Sequence, residues 1–299
     1  MSTRRIAVTG ASGLIGMALV PALRARGWTV LTVGRDARAD VRWDPAAGTL
    51  DARALDGIDA MVHLAGEPIA VRWSAARKRA IRASREQGTA LVARTLAALS
   101  PRPRVLVSAS AIGYYGTAGD AWLSEEHAGG TDFLASVCAA WERAADPARD
   151  AGIRVAHPRI GIVLAAEGGA LAKLLLPFRL GLGGPVGDGR QWMSWIARDD
   201  LVRLILTTLD DETLAGAVNA VAPHPVTNAE FTRALGRALH RPAILPLPAF
   251  ALRAAFGEMA EWTLLTSQRV KPARLERAGF VWNHPEIDGA LRAAIGAAA

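Results

Sequence analysis

The chain has 299 residues, 51% of them hydrophobic, enough for one large α/β unit or a main domain carrying a smaller one. Its one cysteine, Cys138, excludes an intramolecular disulfide and fits a reducing compartment. The formal net charge is +7 and nearly all the positive charge is arginine, which speaks for solubility and attraction to anions but not for a fold.

The predicted elements alternate. Residues 4–9 read as a strand, 13–26 as a helix stopped by Gly27, 28–34 as a second strand and 59–66 as a third. A helix follows over 74–99, then a strand over 102–110, a helix over 131–150 and a strand over 152–164. This order predicts an α/β fold of the Rossmann type, a doubly wound parallel sheet covered on both faces. After residue 165 glycine and proline increase ("GLGGPVGDGRQWMSW"), and helices are expected over 199–209 and 227–239, the latter opened by a Thr227/Glu230 capping box. "LPLPAF" marks a boundary, and about 246–295 read as mostly helical. The expected organisation is a cofactor-binding domain over 1–165 and a smaller helical lobe over 166–299, some of whose segments return to the sheet. That lobe covers the C-terminal edge of the strands, where open α/β sheets bind ligands.

The opening "MSTRRIAVTG" enters a strand with no apolar leader. The apolar stretch "LAKLLLPFRLGLGG" is interrupted by Lys173, Arg179, a proline and glycines. The expectation is a soluble, cytoplasmic protein with no membrane partner. The densest basic run, "RWSAARKRAIRASR" (72–85), together with Ile81, Leu91, Val92 and Leu96, suggests a helix with one buried stripe and an arginine-rich, solvated outer face. No stacking aromatics or nucleic-acid motif accompany it, so no nucleic-acid partner is expected.

Gly10, Gly13 and Gly16 stand in the spacing G-x-x-G-x-x-G between the first strand and the first helix. Gly10 permits a tight turn, Gly13 lets backbone N–H groups approach a pyrophosphate, and Gly16 lets helix and strand pack closely. The helix N-terminus adds its partial positive charge, so Ser12, Leu14 and Ile15 belong to the same cradle. The second strand ends "TVGRD". Gly34 stands where NAD-selective proteins keep a carboxylate, and Arg35 follows, ready to bind a 2′-phosphate. The cofactor expected is NADP(H).

That glycine spacing resembles the short-chain dehydrogenase/reductase superfamily in its extended, epimerase-like branch. "HLAGEPIA" (63–70), "IRASREQGTALV" (81–92), "SASAIGYYG" (108–116), "DFLASVCAAWE" (132–142), "RIGIVLAAEGGAL" (159–171), "PFRLGLGGPVGDGRQWMSWI" (177–196) and "PVTNAEF" (225–231) resemble one subfamily. It is known as the epimerase-family or nucleoside-diphosphate-sugar-epimerase-like proteins. Residues 256–280 look like its C-terminal domain of unknown function, and some members are labelled SulA-type cell-division inhibitors. The resemblance implies that Leu64, Ala65 and Gly66 line the adenosine–ribose side of the cofactor. By the same resemblance Arg85 reaches it from the long helix, Gly161 and Val163 pass near the nicotinamide, and Ser108 and Ser110 lie where the branch keeps a catalytic Ser or Thr.

The superfamily's Tyr–Lys pair is missing. Counting back from Glu142 places Leu134 and Cys138 at those positions, and no Tyr or Lys occurs between Gly116 and Glu167. The substitutes are Tyr114 and Tyr115, the only tyrosines, which follow Ser110 at the sheet edge. Glu67 and His157 are further ionisable candidates, and Cys138 has no evident partner as a nucleophile. Glu67, Arg159, Arg190, Gln191, Trp192 and Trp195 are pocket candidates for an anionic or aromatic substrate, although the tryptophans could equally join the two lobes. Two readings stand: an NADP(H)-dependent oxidoreductase acting on an unidentified small carbonyl or alcohol, and a non-catalytic NADPH-responsive regulator that binds a protein partner.

Overall fold

The computed structural model describes residues 3–296. Among these, one sheet runs in the order Gly216–Ala220, Arg154–Ile160, Val105–Ser108, Ala60–His63, Arg5–Thr9, Thr29–Gly34, Val41–Asp44, Thr49–Leu50, with Ser110–Ala111 continuing beside Arg154–Ile160. Every pairing is parallel except that of Val41–Asp44 with Thr49–Leu50, which is antiparallel. Side chains alternate across the sheet. Ile6, Val8, Val62 and Val107 join Leu19, Leu23, Leu201 and Ile205 of helices Gly16–Ala25 and Arg198–Asp210 on one face. Ala7, Met61, Leu106 and Val155 join Leu91, Val92 and Leu96 of helix Ala75–Ala98 on the other. Burial on both faces accounts for the unbroken apolar strands of the sequence. Ser74 caps the long helix, accepting from the Arg77 amide at 3.1 Å.

Two predicted elements are broken in the structure. The helix expected over 131–150 is two helices, Phe133–Arg143 and Asp146–Asp150, with Pro147 opening the second. The strand expected over 152–164 breaks at Gly161, where a Cβ would lie 2.7 Å from the Ser194 carbonyl oxygen. Its continuation, Ile162–Leu164, leaves the main sheet and pairs in parallel with Trp195–Ala197. The sheet also takes its edge strand, Gly216–Ala220, from beyond residue 165, so a division at that residue cuts through the sheet-forming chain. Helix Arg198–Asp210 crosses the face of the sheet and delivers that strand. The predicted capping box is present, with Thr227 accepting from the Glu230 amide and Glu230 accepting from the Thr227 amide.

The smaller lobe has its own core of Leu171, Leu175, Phe178, Trp195, Phe231, Leu235, Ile287 and Leu291. It packs beside the C-terminal ends of the strands. Strand Arg5–Thr9 lies between Thr29–Gly34 and Ala60–His63, and strand order reverses there, which opens a crevice at the Gly10 turn.

Candidate active site

The glycine turn divides its three tasks cleanly. Gly10 has φ +67° and lies so close to the neighbouring strand end that a Cβ would sit 2.9 Å from the Leu64 carbonyl carbon. Gly16 is buried, and a Cβ there would lie 2.2 Å from the Gly10 oxygen. Gly13 differs: its added Cβ would meet only the Gly10 oxygen, at 3.2 Å, and both Gly13 and Ser12 are exposed. Helix Gly16–Ala25 therefore presents its N-terminus to open space through a turn with no side chain at Gly13, which fits a pyrophosphate. Leu14 packs against Gly168 and Gly169 at the start of helix Gly169–Arg179, and Ile15 and Val163 border the same apolar cluster.

Gly34 ends its strand, and Arg35 is exposed with no carboxylate paired to it among the described residues. The nearby Asp36 is held by Arg38 through Nε at 3.1 Å and NH2 at 2.9 Å, which keeps its carboxyl well below the usual range. Asp36 is thus neutralised locally and leaves Arg35 facing solvent.

Across the crevice, Leu64, Ala65 and Gly66 form the opposite wall. Thr9 Oγ1 accepts from the Leu64 amide at 3.0 Å and the Ala65 amide at 3.3 Å, and lies 2.7 Å from His63 Nδ1. With both lone pairs taken, the hydroxyl donates its proton to His63. Burial pushes the His63 pKa down to about 4, so the ring is neutral at pH 7 and serves as that acceptor. Neither Thr9 nor His63 is singled out by the sequence; the only signal is their place at the ends of the two strands that flank the crevice. Arg85 lies flat against Gly66, donates from NH1 to the Glu67 carbonyl at 3.1 Å and stacks 4.9 Å from Trp141. Burial lowers its pKa. The basic run is a solvated face only in part: Arg72 and Arg79 are exposed, but Arg72 bonds to the Ala254 and Ala255 carbonyls, Arg77 to Glu67, Lys78 to Glu258 and Arg82 to Ser136.

Ser110 opens the turn of residues 112–115. Its hydroxyl donates to Glu142 at 2.7 Å, and Glu142 also accepts from Arg159 Nε at 2.8 Å and NH2 at 2.9 Å. Burial works against the Glu142 carboxylate, but Arg159 and Ser110 outweigh it and hold its pKa below the usual value. Arg159 NH1 donates to the Tyr115 hydroxyl at 3.0 Å, and Tyr115 donates onward to Asn219 at 2.7 Å. Burial raises the Tyr115 pKa. Tyr114 is sandwiched: the Arg159 guanidinium carbon lies 3.4 Å from its ring centroid, and a Cβ at Gly129 would lie 3.0 Å from its Cζ. Its hydroxyl has no hydrogen-bond partner among the described residues.

Helix Phe133–Arg143 shows what replaced the dyad. Leu134, Cys138 and Glu142 lie one turn apart on one face, and Leu134 and Cys138 pack on Gly113 of the tyrosine turn. Burial pushes the Cys138 thiol up to about 12, so it is no nucleophile at neutral pH.

Several pocket expectations are corrected. Arg159 is buried and committed to Glu142 and the tyrosines. Trp195 is fully buried, with its indole N–H donated to the His224 carbonyl, and belongs to the small lobe's core. Gln191 is also buried and donates to the Val186 and Leu264 carbonyls. Trp192 donates to Asp120 at 2.8 Å and stacks on Arg269, so it joins the small lobe to the cofactor domain, while Arg190 is exposed. Ser108 and His157 are buried inside the sheet, and burial lowers the His157 pKa. Glu67 is paired with Arg77 at 3.1 Å. Among the described residues no group of His, Cys, Asp or Glu is arranged to hold a metal, and no helix is long and apolar enough to cross a membrane.

A doubly wound sheet with a glycine turn at its reversal point defines a dinucleotide-binding protein of the extended short-chain dehydrogenase/reductase fold. The chain belongs to the NAD dependent epimerase/dehydratase family, whose model matches residues 6–220, and residues 247–294 match a domain of unknown function, DUF1731. It is 45% identical over 295 residues to epimerase family protein Mb2239 of Mycobacterium bovis, covering 97% of each chain. It is 38% identical to epimerase family protein SDR39U1 of Homo sapiens, covering 96% of this chain and 98% of that one. A crystal structure of the human protein with NADPH superimposes with a TM-score of 0.89, at 35% identity, over 98% of this chain and 99% of that one.

Proposed function

We propose that the chain is an NADP(H)-dependent oxidoreductase of this family, acting on a small carbonyl or alcohol without the Tyr–Lys relay. The observation that carries the reading is the open cradle at Gly13 combined with Gly34 at the place where a carboxylate would oppose a 2′-phosphate and an exposed Arg35 next to it. The relative solved with NADPH supports the same cofactor. The residues fit it: the Ser12, Leu14 and Ile15 amides would face the pyrophosphate, while the Gly13 amide closes the turn onto the Gly10 carbonyl; Arg35 would meet the 2′-phosphate, Leu64–Gly66 the adenosine–ribose side, Arg85 would reach the cofactor from the long helix, and Gly161 and Val163 would pass near the nicotinamide. NADPH, when bound, supplies the hydride.

The chain's own task is to place a carbonyl and deliver a proton. Tyr115 is unsuited, being buried and donating to Asn219. Tyr114 has a free hydroxyl on a ring whose plane is fixed by Arg159 and Gly129. Ser110 is also buried and donates to Glu142. We therefore assign proton delivery to Tyr114, with Tyr115 and Ser110 holding the turn. NADPH oxidation across a carbonyl panel tests this: Tyr114→Phe slows turnover about a hundredfold while leaving NADPH affinity unchanged.

One observation favours the second reading, a non-catalytic NADPH-responsive regulator in the cytoplasm. The dyad positions hold Leu134, which has no proton to exchange, and Cys138, whose buried thiol keeps its proton at neutral pH, and both pack the turn. Tight NADPH binding with no oxidation by any carbonyl would select it.

A further inference from the structure

The C-terminal domain of unknown function reaches the tyrosine turn through one short segment, residues 267–271. Gln268 is buried, and its side-chain Nε2 donates to the carbonyls of Ile112 at 3.0 Å and Gly116 at 2.9 Å. These two carbonyls stand on either side of the tyrosine pair, so a single amide spans the turn. The backbone of Gln268 is fixed in turn: its N–H donates to the Trp192 carbonyl at 3.0 Å, and its carbonyl accepts from Ser194 Oγ at 2.8 Å. On one side, the Ser267 carbonyl accepts from the Ala118 amide and the Ser267 hydroxyl donates to the Gly119 carbonyl. On the other, Arg269–Val270 pair in parallel with Trp122–Leu123, and the Lys271 carbonyl accepts from Asn219 Nδ2 at 2.9 Å. Asn219 is also the residue that accepts from Tyr115.

We propose that Gln268 is a positioning residue, through which the C-terminal domain sets the tyrosine turn so that Tyr114 keeps its place between Arg159 and Gly129 with its hydroxyl free. This assignment rests on the reading of Tyr114 given above. Both acceptors are main-chain carbonyls, so only a donor of two N–H bonds serves at position 268. Other bonds hold the turn's own main chain, Ser110–Ala111 pairing with Arg159–Ile160, Gly130 donating to the Tyr114 carbonyl and Gly116 to the Gly113 carbonyl; the Ile112 and Gly116 carbonyls are left to Gln268, Gly116 at a left-handed φ of +65°. The domain is on this account part of the site and not an appended module.

The test uses the intact chain made with isotope-labelled tyrosine. It has two tyrosines, so NMR gives two ring signals, assigned with Tyr114→Phe and Tyr115→Phe. In Gln268→Leu the Tyr114 signal moves toward that of an exposed tyrosine, while the Tyr115 signal stays and NADPH affinity is unchanged. Gln268→Glu keeps the shape but turns a carboxylate toward two carbonyl oxygens, and displaces Tyr114 in the same way. If either variant fails to fold, Ser194→Ala loosens the same segment and gives a smaller displacement in the same direction. With a carbonyl substrate in hand, kcat falls about a hundredfold at unchanged NADPH affinity. An unmoved Tyr114 signal in folded Gln268→Leu and Gln268→Glu overturns the proposal. Movement of both tyrosine signals together overturns it as well, because Gln268 would then be general packing. Failure of the protein to bind NADPH would sink the redox reading and leave the NMR result to be judged independently.

Discussion

The two turns that face the crevice are built on opposite principles. At Gly10–Gly16 the main chain bonds only within the turn and its own helix, Gly13 to the Gly10 carbonyl, and no side chain fills the space beside Gly13. Around Ile112–Gly116 nearly every polar group is already engaged: Ser110 to Glu142, Tyr115 to Asn219, Ile112 and Gly116 to Gln268, with Arg159 between the two tyrosines. The first turn is preorganised for a ligand that arrives. The second is preorganised around itself and leaves one hydroxyl, that of Tyr114.

The largest effect is expected where the closed turn is cut. Glu142→Ala leaves Arg159 buried without its carboxylate and lowers unfolding free energy by about 3–5 kcal/mol, read by denaturant titration. Acid probes the wall between the turns. His63 is buried neutral, its folded pKa about 4 against 6.5 unfolded, so below pH 6.5 the unfolded state binds the extra proton. Stability then falls with pH across that window and loses about 3 kcal/mol by pH 4, a slope that His63→Gln flattens. Gly13→Val fills the open cradle: NADPH affinity falls about a hundredfold with the thermal midpoint nearly unchanged, whereas Gly16→Val, against the Gly10 oxygen, compromises folding itself. The smallest effect is at Arg35→Ala, which costs NADPH about tenfold in calorimetric affinity and leaves NADH alone.

The open turn could be read from the sequence and the closed one could not, for a physical reason. A glycine turn between strand and helix is a local device, and its three residues carry the whole signal. The tyrosine turn is set by Glu142, Arg159, Asn219 and Gln268, contributed by elements far apart in the chain, and no spacing rule links them. The same limit hid the hairpin Val41–Asp44/Thr49–Leu50 and the edge strand Gly216–Ala220: each is short, and the latter, "GAVNA", has small residues whose strand character comes only from its neighbour. Trp195 and Arg159 misled in the opposite sense. Residue types that suit a pocket also suit a core or a buried ion pair, and only their neighbours decide which. That Leu134 and Cys138 lack the chemistry of a Tyr–Lys pair follows from the residue types alone.

Calorimetric titration of the intact chain with NADPH and with NADH tests the central claim most directly. The account predicts that NADPH binds at least about tenfold more tightly, the preference carried by Arg35. Equal affinity for the two nucleotides, or binding of neither, would contradict it.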